Sequence, residues 1–219
     1  MSGALVAGWL RLAAARIAVE RARLTELDAA IGDGDHGINL DRGFRLLAAR
    51  LAAGDVETAP PGALLVLAGR TITGTVGGAS GALYGRALMR AGATLEARLE
   101  ARPAASAVTP AQLAGVFWAA VDGVATLGRS RPGEKTMLDA LVPAAVAFEA
   151  AGLGGVDLPS ATRRAADAAE AGALRTLPLV ARKGRASYLG RRSVDHLDPG
   201  AVSSALLVRA LADAVAGVA

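Results

Sequence analysis

The sequence predicts an all-α protein, organised as a single bundle of about eight helices. Three observations support this prediction. Alanine and leucine dominate a chain of 219 residues, of which 53% are hydrophobic. Apolar residues recur at intervals of three and four through long segments, and the alternating Val, Ile and Thr runs that are typical of strands are missing. No internal repeat or disordered linker divides the chain, so we expect one domain over residues 1–219.

The first four predicted helices are bounded by residues that favour helix ends. They cover about residues 3–27, 38–53, Pro60-Pro61 to Ile72, and 82–101. The first has one apolar face, and Asp28 lies at its end. Gly54 closes the second, and Pro60-Pro61 suits the first turn of the third because proline lacks an N–H. The third should stop before Gly74, and the glycine-rich stretch Gly77–Gly81 separates it from the fourth.

The last four predicted helices have equally clear starts. They cover residues 109–128, 134–151 and 159–174, and a last helix begins at Asp198-Pro199. Thr109 and Gln112 form a capping box around Pro110. Pro143 removes one backbone donor and should bend the sixth helix, at a cost of ~3 kcal/mol if unrelieved. Residues 175–198 lack helical periodicity and are predicted to be irregular.

Composition excludes several classes of protein. The chain has no cysteine, so a disulfide framework is excluded and a reducing compartment is favoured. No uncharged apolar run is long enough to span a bilayer, and we expect a cytoplasmic protein. The net charge is +4, but aromatic residues make up only 3% of the chain and its arginines are scattered. These features argue against nucleic acid as a partner.

One short segment concentrates acidic residues. It places Asp28, Asp33 and Asp35 among three glycines, which let the backbone turn so that the carboxylates converge. Oxygen ligands without cysteine favour Mg²⁺, Mn²⁺ or Ca²⁺. An EF-hand loop fails, because Ile38 stands where glycine is required and Phe44 where glutamate is required. Mg²⁺ fits best and implies a phosphorylated ligand; the alternative is a polar turn whose aspartates cap the next helix.

The other scarce polar residues also lie in predicted non-helical stretches, including both histidines and both lysines. Gly77–Gly81 leads directly into a helix, so its N–H groups and the Ser80 hydroxyl can cradle an anion, although a plain interhelical turn has the same pattern. The stretch before Lys135 is not a Walker A loop, because its spacing is wrong and it follows a helix. Arg185 can pair with a phosphate or lie on the surface, and Asp198 is predicted to cap the last helix.

Taken together, these stretches resemble the nucleotide-binding L subunit of dihydroxyacetone kinase. The matching motifs are IGDGDHGINLDRGF (31–44), VGGASGALYG (76–85), PGEKTMLDAL (132–141), ARKGRASYLG (181–190) and SVDHLDPGAVSS (193–204). They occur in order over nearly the whole chain, which makes the resemblance more specific than any single motif.

The resemblance implies an antiparallel, barrel-like bundle of eight helices that holds ADP or ATP at one end through two Mg²⁺ ions. The residues that match the family's metal ligands are Asp28, Asp33 and Asp35. The residues that match its nucleotide contacts are His36, Gly37, Ile38, Asn39, Ala79, Ser80, Gly128, Met137, Arg185, Asp198, Pro199 and Gly200. Periodicity alone would assign Met137 to the core.

The resemblance also implies partners. In this family dihydroxyacetone is held by a separate K subunit, and bound ADP is commonly rephosphorylated by a phosphotransferase-system protein. The alternatives are an ATP-dependent kinase subunit for another small sugar or triose, and a non-catalytic regulatory bundle that binds nucleotide. A fatty acid kinase module would carry threonine where this chain has His36. Arg191 and Asp195 depart from the family, which often has Glu and Gly at these positions.

Overall fold

The computed structural model describes residues 2–56, 58–101 and 109–217. Within these ranges every regular element is a helix, so the all-α prediction is confirmed. The elements are α1 (Gly3–Ile31), α2 (His36–Ala53), α3 (Pro61–Thr75), α4 (Gly78–Glu100), α5 (Pro110–Gly128), α6 (Leu138–Leu153), α7 (Leu158–Leu174) and α8 (Pro199–Ala216), with a 3₁₀ segment (Arg185–Ser193) before α8.

The eight α-helices form a closed ring. Each helix packs against the next along the chain, and α8 returns to pack against α1. One end of the ring brings together the end of α1, the end of α5 and the starts of α2, α4, α6 and α8. Consecutive helices therefore run antiparallel, as in an up-and-down bundle.

Small residues let α3 and α4 approach closely. A Cβ atom added at Gly69 would lie 2.6 Å from the Gly85 carbonyl oxygen, and one added at Gly85 would lie 2.8 Å from the Gly69 carbonyl oxygen. Both distances are shorter than van der Waals contact, so the two backbones touch and only glycine fits at this crossing. The close contact fixes the relative position of α3 and α4, and α4 begins at the candidate site described below.

Among the residues that the structure describes, two helices are long and apolar enough, by length and composition alone, to cross a membrane: Pro110–Gly128 and Pro199–Ala216. In the structure α5 packs between α4 and α6, and α8 packs between α7 and α1. Core helices of a bundle have the same composition, because they bury a wide apolar face against their neighbours.

Several helix boundaries differ from the sequence prediction. The prediction that the third helix stops before Gly74 is wrong, because α3 continues through Gly74 to Thr75. α1 continues through two alanines to Ile31, so Asp28 lies in its last turn rather than after it. α4 begins at Gly78, inside the predicted glycine turn. α6 begins only at Leu138, because Lys135 has a left-handed backbone (φ 60°) that cannot belong to a helix.

Two further segments complete the comparison with the prediction. α6 continues through Pro143 to Leu153, and the bend expected at this proline stays a prediction. Residues 175–198 were expected to be irregular, but the structure forms a 3₁₀ helix over Arg185–Ser193, interrupted at Gly190. Short 3₁₀ turns leave no long apolar period in the sequence, which explains why this one was missed.

Candidate functional site

A cavity of about 260 Å³ opens at the end of the ring where α2, α4, α6 and α8 begin. The predicted site residues that line it are Asp28, Asp33, Asp35, His36, Ala79, Ser80, Gly128, Met137, Arg185, Asp198, Pro199 and Gly200. These residues come from widely separated stretches of the chain. The packing of the helices therefore brings most of the predicted site together.

Three predicted nucleotide contacts do not line this cavity. Gly37 is buried against α1, where an added Cβ atom would lie 2.6 Å from Thr25 Oγ1. Ile38 is 41% exposed, and Asn39 is buried with its Oδ1 accepting a hydrogen bond from Arg42 Nη2 at 2.9 Å. These residues build the first turn of α2, and their contact with nucleotide stays a prediction.

The three predicted metal ligands converge. Asp28, Asp33 and Asp35 each offer a carboxylate oxygen, and these oxygens all lie within 4.8 Å of one another. Like charges at this separation repel unless a cation lies between them. A set of carboxylate oxygens suits a hard ion such as Mg²⁺, which completes its shell with water and phosphate oxygens. The donor set therefore fits the metal that the sequence predicts.

Asp28 also has the role that the alternative interpretation assigned to it. Its Oδ2 accepts hydrogen bonds from the N–H groups of Asp35 (2.9 Å) and His36 (3.1 Å), at the start of α2. Asp35 itself occupies the N-cap position of α2 without a side-chain capping bond. A carboxylate has two oxygens with several acceptor sites, so capping and metal binding are compatible at Asp28.

Arg185 provides a cation at the acidic cluster. Its Nη2 lies 2.9 Å from Asp33 Oδ2, and the Arg185 side chain is 66% exposed. Arg185 is the first residue of the 3₁₀ segment, directly after Gly184, which has a positive φ of 64°. Its exposed, forked guanidinium lies beside both the carboxylates and the cavity, where it can reach a phosphate group.

His36 is tied to α8 through a buried polar network. Its Nε2 lies 2.9 Å from Ser203 Oγ, which also lies 2.6 Å from the Tyr84 hydroxyl. The Tyr84 hydroxyl makes a further hydrogen bond to Ser204 Oγ at 2.9 Å. Burial lowers the pKa of His36 below its usual 6.5, against the opposing effect of two neighbouring carboxylates. Burial therefore favours the neutral form of the imidazole, and the network orients it.

The start of α8 forms another wall of the cavity. Asp198 is the N-cap, and its Oδ2 accepts a hydrogen bond from the Ala201 N–H at 2.7 Å, as the capping prediction required. Burial raises the pKa of Asp198 to about 7, although the hydrogen bond from Ala201 acts in the opposite direction. Pro199 and Gly200 follow in the first turn and line the cavity.

The start of α4 presents backbone donors to the same space. Gly77 is the N-cap and has no side-chain capping bond, and Gly78 has a positive φ of 68°. The Ser80 hydroxyl donates a long hydrogen bond to the Gly77 carbonyl at 3.3 Å, which a stronger acceptor can replace. A helix N-terminus with free N–H groups attracts anions.

Apolar side chains complete the cavity, and periodicity alone did not single them out. Ile31, Leu83 and Val124 line it together with the buried Met137. An apolar stripe looks the same in the sequence whether it faces another helix or a cavity, so periodicity gives no reason to assign these residues to a site. Eight further residues line the cavity although they were not among the predicted site residues: Gly32, Gly78, Ser130, Lys135, Thr136, Lys183, Gly184 and Ala186. The sequence marks the two lysines only as scarce polar residues in non-helical stretches.

The structure explains one of the two departures from the family. Asp195 has a φ of 66°, in the left-handed region that glycine adopts without steric cost and that aspartate tolerates better than most residues. Its N–H donates to the Leu177 carbonyl at 2.9 Å. The backbone can therefore keep one shape with either residue. Arg191 is exposed in the 3₁₀ segment, where it changes the charge of the surface.

Comparisons with known proteins agree with this geometry. Residues 30–213 match the family described as the DAK2 domain. The ADP-binding subunit DhaL of the PEP-dependent dihydroxyacetone kinase of Escherichia coli K12 is 37% identical over 212 residues, 97% of each chain. The corresponding DhaL subunit of the PTS-dependent kinase of Lactococcus lactis is 33% identical over 208 residues, 95% of each chain.

A solved structure shows the same fold. The dihydroxyacetone kinase of C. freundii, in complex with AMP-PNP and Mg²⁺, superposes with a TM-score of 0.70 at 30% identity. The match covers 97% of this chain and 34% of that kinase, so the chain spans about a third of its length. The chain belongs to the DAK2 domain family and, within it, to the nucleotide-binding L subunits of dihydroxyacetone kinase.

Proposed function

We propose that residues 1–219 act as one Mg²⁺-dependent, ADP- or ATP-binding subunit of a cytoplasmic dihydroxyacetone kinase. In this proposal the subunit transfers a phosphoryl group from bound nucleotide to dihydroxyacetone held on a separate K subunit. The observation that carries the proposal is the convergence of three carboxylate oxygens, within 4.8 Å of one another, beside a cavity that also receives the starts of α4 and α8. The names of the E. coli and L. lactis relatives support it.

Asp28, Asp33 and Asp35 would hold two Mg²⁺ ions in this site. Bound Mg²⁺ neutralises charge on the phosphate oxygens during phosphoryl transfer. Protein groups then have to position the phosphates, because transfer of this kind depends mainly on alignment and charge. We assign no general base to the chain.

The positioning groups come from three elements. The N–H groups at the start of α4 and the Ser80 hydroxyl would hold the phosphates, and Arg185 would add a charged clamp. The first turn of α8, with Pro199 and Gly200, would contact the nucleotide from another side. Met137, which is buried beside the cavity, would form part of the wall for the base.

The rim of the cavity is the proposed docking face for the K subunit. Tyr188 is 89% exposed in the 3₁₀ segment, and Arg191 and Arg192 beside it are exposed as well. Exposed tyrosine and arginine are the residue types that dominate binding energy in protein interfaces. Docking there would bring the bound triose to the nucleotide. The proposed phosphoryl donor to ADP is a phosphotransferase-system protein, in line with the names of the relatives.

The decisive test is a calorimetric titration of ADP into nucleotide-stripped protein, with and without Mg²⁺. We expect tight binding only with Mg²⁺, and we expect Asp33→Asn to abolish it without changing the helix content. Asp122→Asn is a matched control, because Asp122 pairs with Arg90 on the surface, away from the cavity. Retained affinity in Asp33→Asn, or binding indifferent to the metal, would refute the metal assignment.

The catalytic role needs a separate measurement. Turnover of dihydroxyacetone should appear when a K subunit is added, either with a phosphotransferase-system donor or with ATP. Magnesium-dependent ADP binding without turnover under both conditions would instead favour the regulatory bundle.

A further inference from the structure

Lys135 is a buried cation that nothing in the proposed chemistry uses. Its side chain is among the largest that are fully buried, with 1% of the residue exposed. The ammonium group donates hydrogen bonds to the carbonyl oxygens of Thr176 at 2.7 Å and Leu179 at 3.1 Å, and to that of His196. The Leu177 carbonyl lies at the longer distance of 3.4 Å. Backbone oxygens thus surround the ammonium group, much as they would surround a metal ion.

The carbonyl groups that bind Lys135 lie at both ends of one segment. Thr176 and Leu179 lie within five residues after the end of α7, and His196 lies three residues before α8. Between them the chain carries Lys183, Gly184 and Arg185, which line the cavity. A single ammonium group therefore ties together the two ends of the segment that presents Arg185.

Two backbone N–H groups also join the two ends of this segment. The Asp195 N–H donates to the Leu177 carbonyl at 2.9 Å, and the Asp198 N–H donates to Thr176 Oγ1 at 3.0 Å. Asp198 caps α8, whose first turn lines the cavity. We call the hydrogen bonds by which Lys135 and Thr176 join the two ends of this segment the clasp. Through the Asp198 N–H, the clasp also fixes the position of the start of α8.

The backbone of Lys135 is consistent with this role. Its φ of 60° lies in the left-handed region, which is unfavourable for a residue with a Cβ atom and persists only where the surroundings impose it. This conformation lies just before α6, and the Arg182 N–H binds the preceding carbonyl, that of Glu134, at 3.1 Å. The loop before α6 and the segment after α7 therefore hold each other.

We propose that Lys135 is a positioning residue for the nucleotide site. It sets the path of residues 175–198, and through them the places of Arg185 and of the N-terminus of α8, by means of an ammonium group that is bound to backbone carbonyls. This inference rests on the proposed function for its effect on binding, but the clasp can be tested without any nucleotide.

The first experiment compares Lys135→Met with the wild-type chain by amide hydrogen exchange, without ligand and well below the unfolding temperature. We expect faster exchange at the amides of Arg182, Asp195 and Asp198, and unchanged exchange in the middle of α1 to α3. Unchanged exchange at these three amides in the folded variant would overturn the proposal.

The second experiment measures the affinity of the same variant for Mg²⁺–ADP. We expect a loss of roughly tenfold or more, because a misplaced clamp and helix terminus bind phosphate poorly. We also expect the double variant Lys135→Met/Arg185→Met to lose less than the two single losses combined, because one residue acts through the other. Full additivity, or undiminished affinity in folded Lys135→Met, would overturn the proposal.

Arg11→Met is the matched control for loss of stability. Arg11 donates to the Leu51 carbonyl at 3.3 Å, near the end of α2 that is remote from the cavity. It should lower thermal stability while leaving the affinity for Mg²⁺–ADP unchanged. If wild-type protein fails to bind Mg²⁺–ADP, the proposed function fails, while the hydrogen-exchange result still decides whether the clasp exists.

Should Lys135→Met not fold, Thr176→Val provides a milder variant. It keeps the shape of the side chain and removes Oγ1, which accepts from the Asp198 N–H at 3.0 Å and donates to the Ala173 carbonyl at 2.6 Å. Faster exchange at Asp198 with weaker Mg²⁺–ADP binding supports the clasp. Unchanged values of both quantities contradict it.

Discussion

Arg185 Nη2 lies 2.9 Å from Asp33 Oδ2, so an arginine pairs with one of the carboxylates that we propose to bind Mg²⁺. The pair is partly exposed, and such pairs contribute no more than about 1 kcal/mol. Arg185 therefore competes only weakly with a metal ion for Asp33. With a metal ion bound at Asp33, the guanidinium would be free to turn toward a phosphate group.

The pairing of Arg185 with Asp33 predicts that Arg185→Met changes metal binding and nucleotide binding differently. Affinity for Mn²⁺ alone, measured by electron paramagnetic resonance, should stay the same or rise by less than about fivefold, because a weak competitor is lost. Affinity for Mg²⁺–ADP, measured by calorimetry, should fall by roughly tenfold, because a charge-assisted hydrogen bond is lost. The neighbouring exposed residue Arg182 does not line the cavity, and Arg182→Met should change neither value. Unchanged ADP affinity in Arg185→Met would show that Arg185 is no clamp.

Asp198 predicts a distinct pH dependence of stability. Its pKa is about 7 in the folded protein, because the carboxyl is buried, against about 3.9 in an unfolded chain. Between these values the folded state binds more protons than the unfolded state, so this group lowers the free energy of unfolding as pH rises through the window. The stabilisation is present in full below the unfolded pKa and is lost by the time the pH has passed the folded pKa.

Asp198→Asn isolates this effect, because asparagine can still cap α8 but does not titrate. We expect the variant to gain about 3 kcal/mol relative to the wild type between about pH 5 and about pH 8. Urea unfolding of both proteins without Mg²⁺ gives the comparison. Parallel pH curves would mean that burial does not raise this pKa.

The contact between α3 and α4 predicts opposite signs for two glycines in one helix. Gly69→Ala would drive a Cβ atom against the Gly85 backbone and should destabilise the protein by about 1–3 kcal/mol. Gly74 has open space around it, so Gly74→Ala should stabilise the protein by up to about 1 kcal/mol through helix propensity. Thermal unfolding measures both changes, and similar effects of the two substitutions would contradict the close packing seen here.

The proposed docking face predicts a variant that separates binding from turnover. Tyr188→Ala should leave the affinity for Mg²⁺–ADP unchanged but weaken the K subunit's apparent affinity by about fivefold or more. Leu153→Ala is the control, because Leu153 is 79% exposed at the opposite end of α6. Steady-state turnover at increasing concentrations of the K subunit distinguishes the two. If both variants behave like the wild type, the K subunit docks elsewhere.

Local signals in the sequence predicted much of this molecule. The capping box at Thr109 and the cap at Asp198 are both present, because each depends on residues within a single helical turn. Apolar periodicity predicted the all-α fold. The acidic segment predicted a cluster of carboxylates, because three aspartates lie within eight positions of one another. The family resemblance, now confirmed, joined these local signals into one expected site.

The tertiary structure alone decided what each of these residues contacts. Periodicity tells which face of a helix is apolar, but not whether that face meets a cavity, so Leu83 and Val124 could not be assigned to the site. Lys135 looked like a residue of a simple turn, yet its partners lie more than 40 positions away along the chain. Contacts of that range depend on how eight helices close into a ring, which is a property of their packing and not of any one segment.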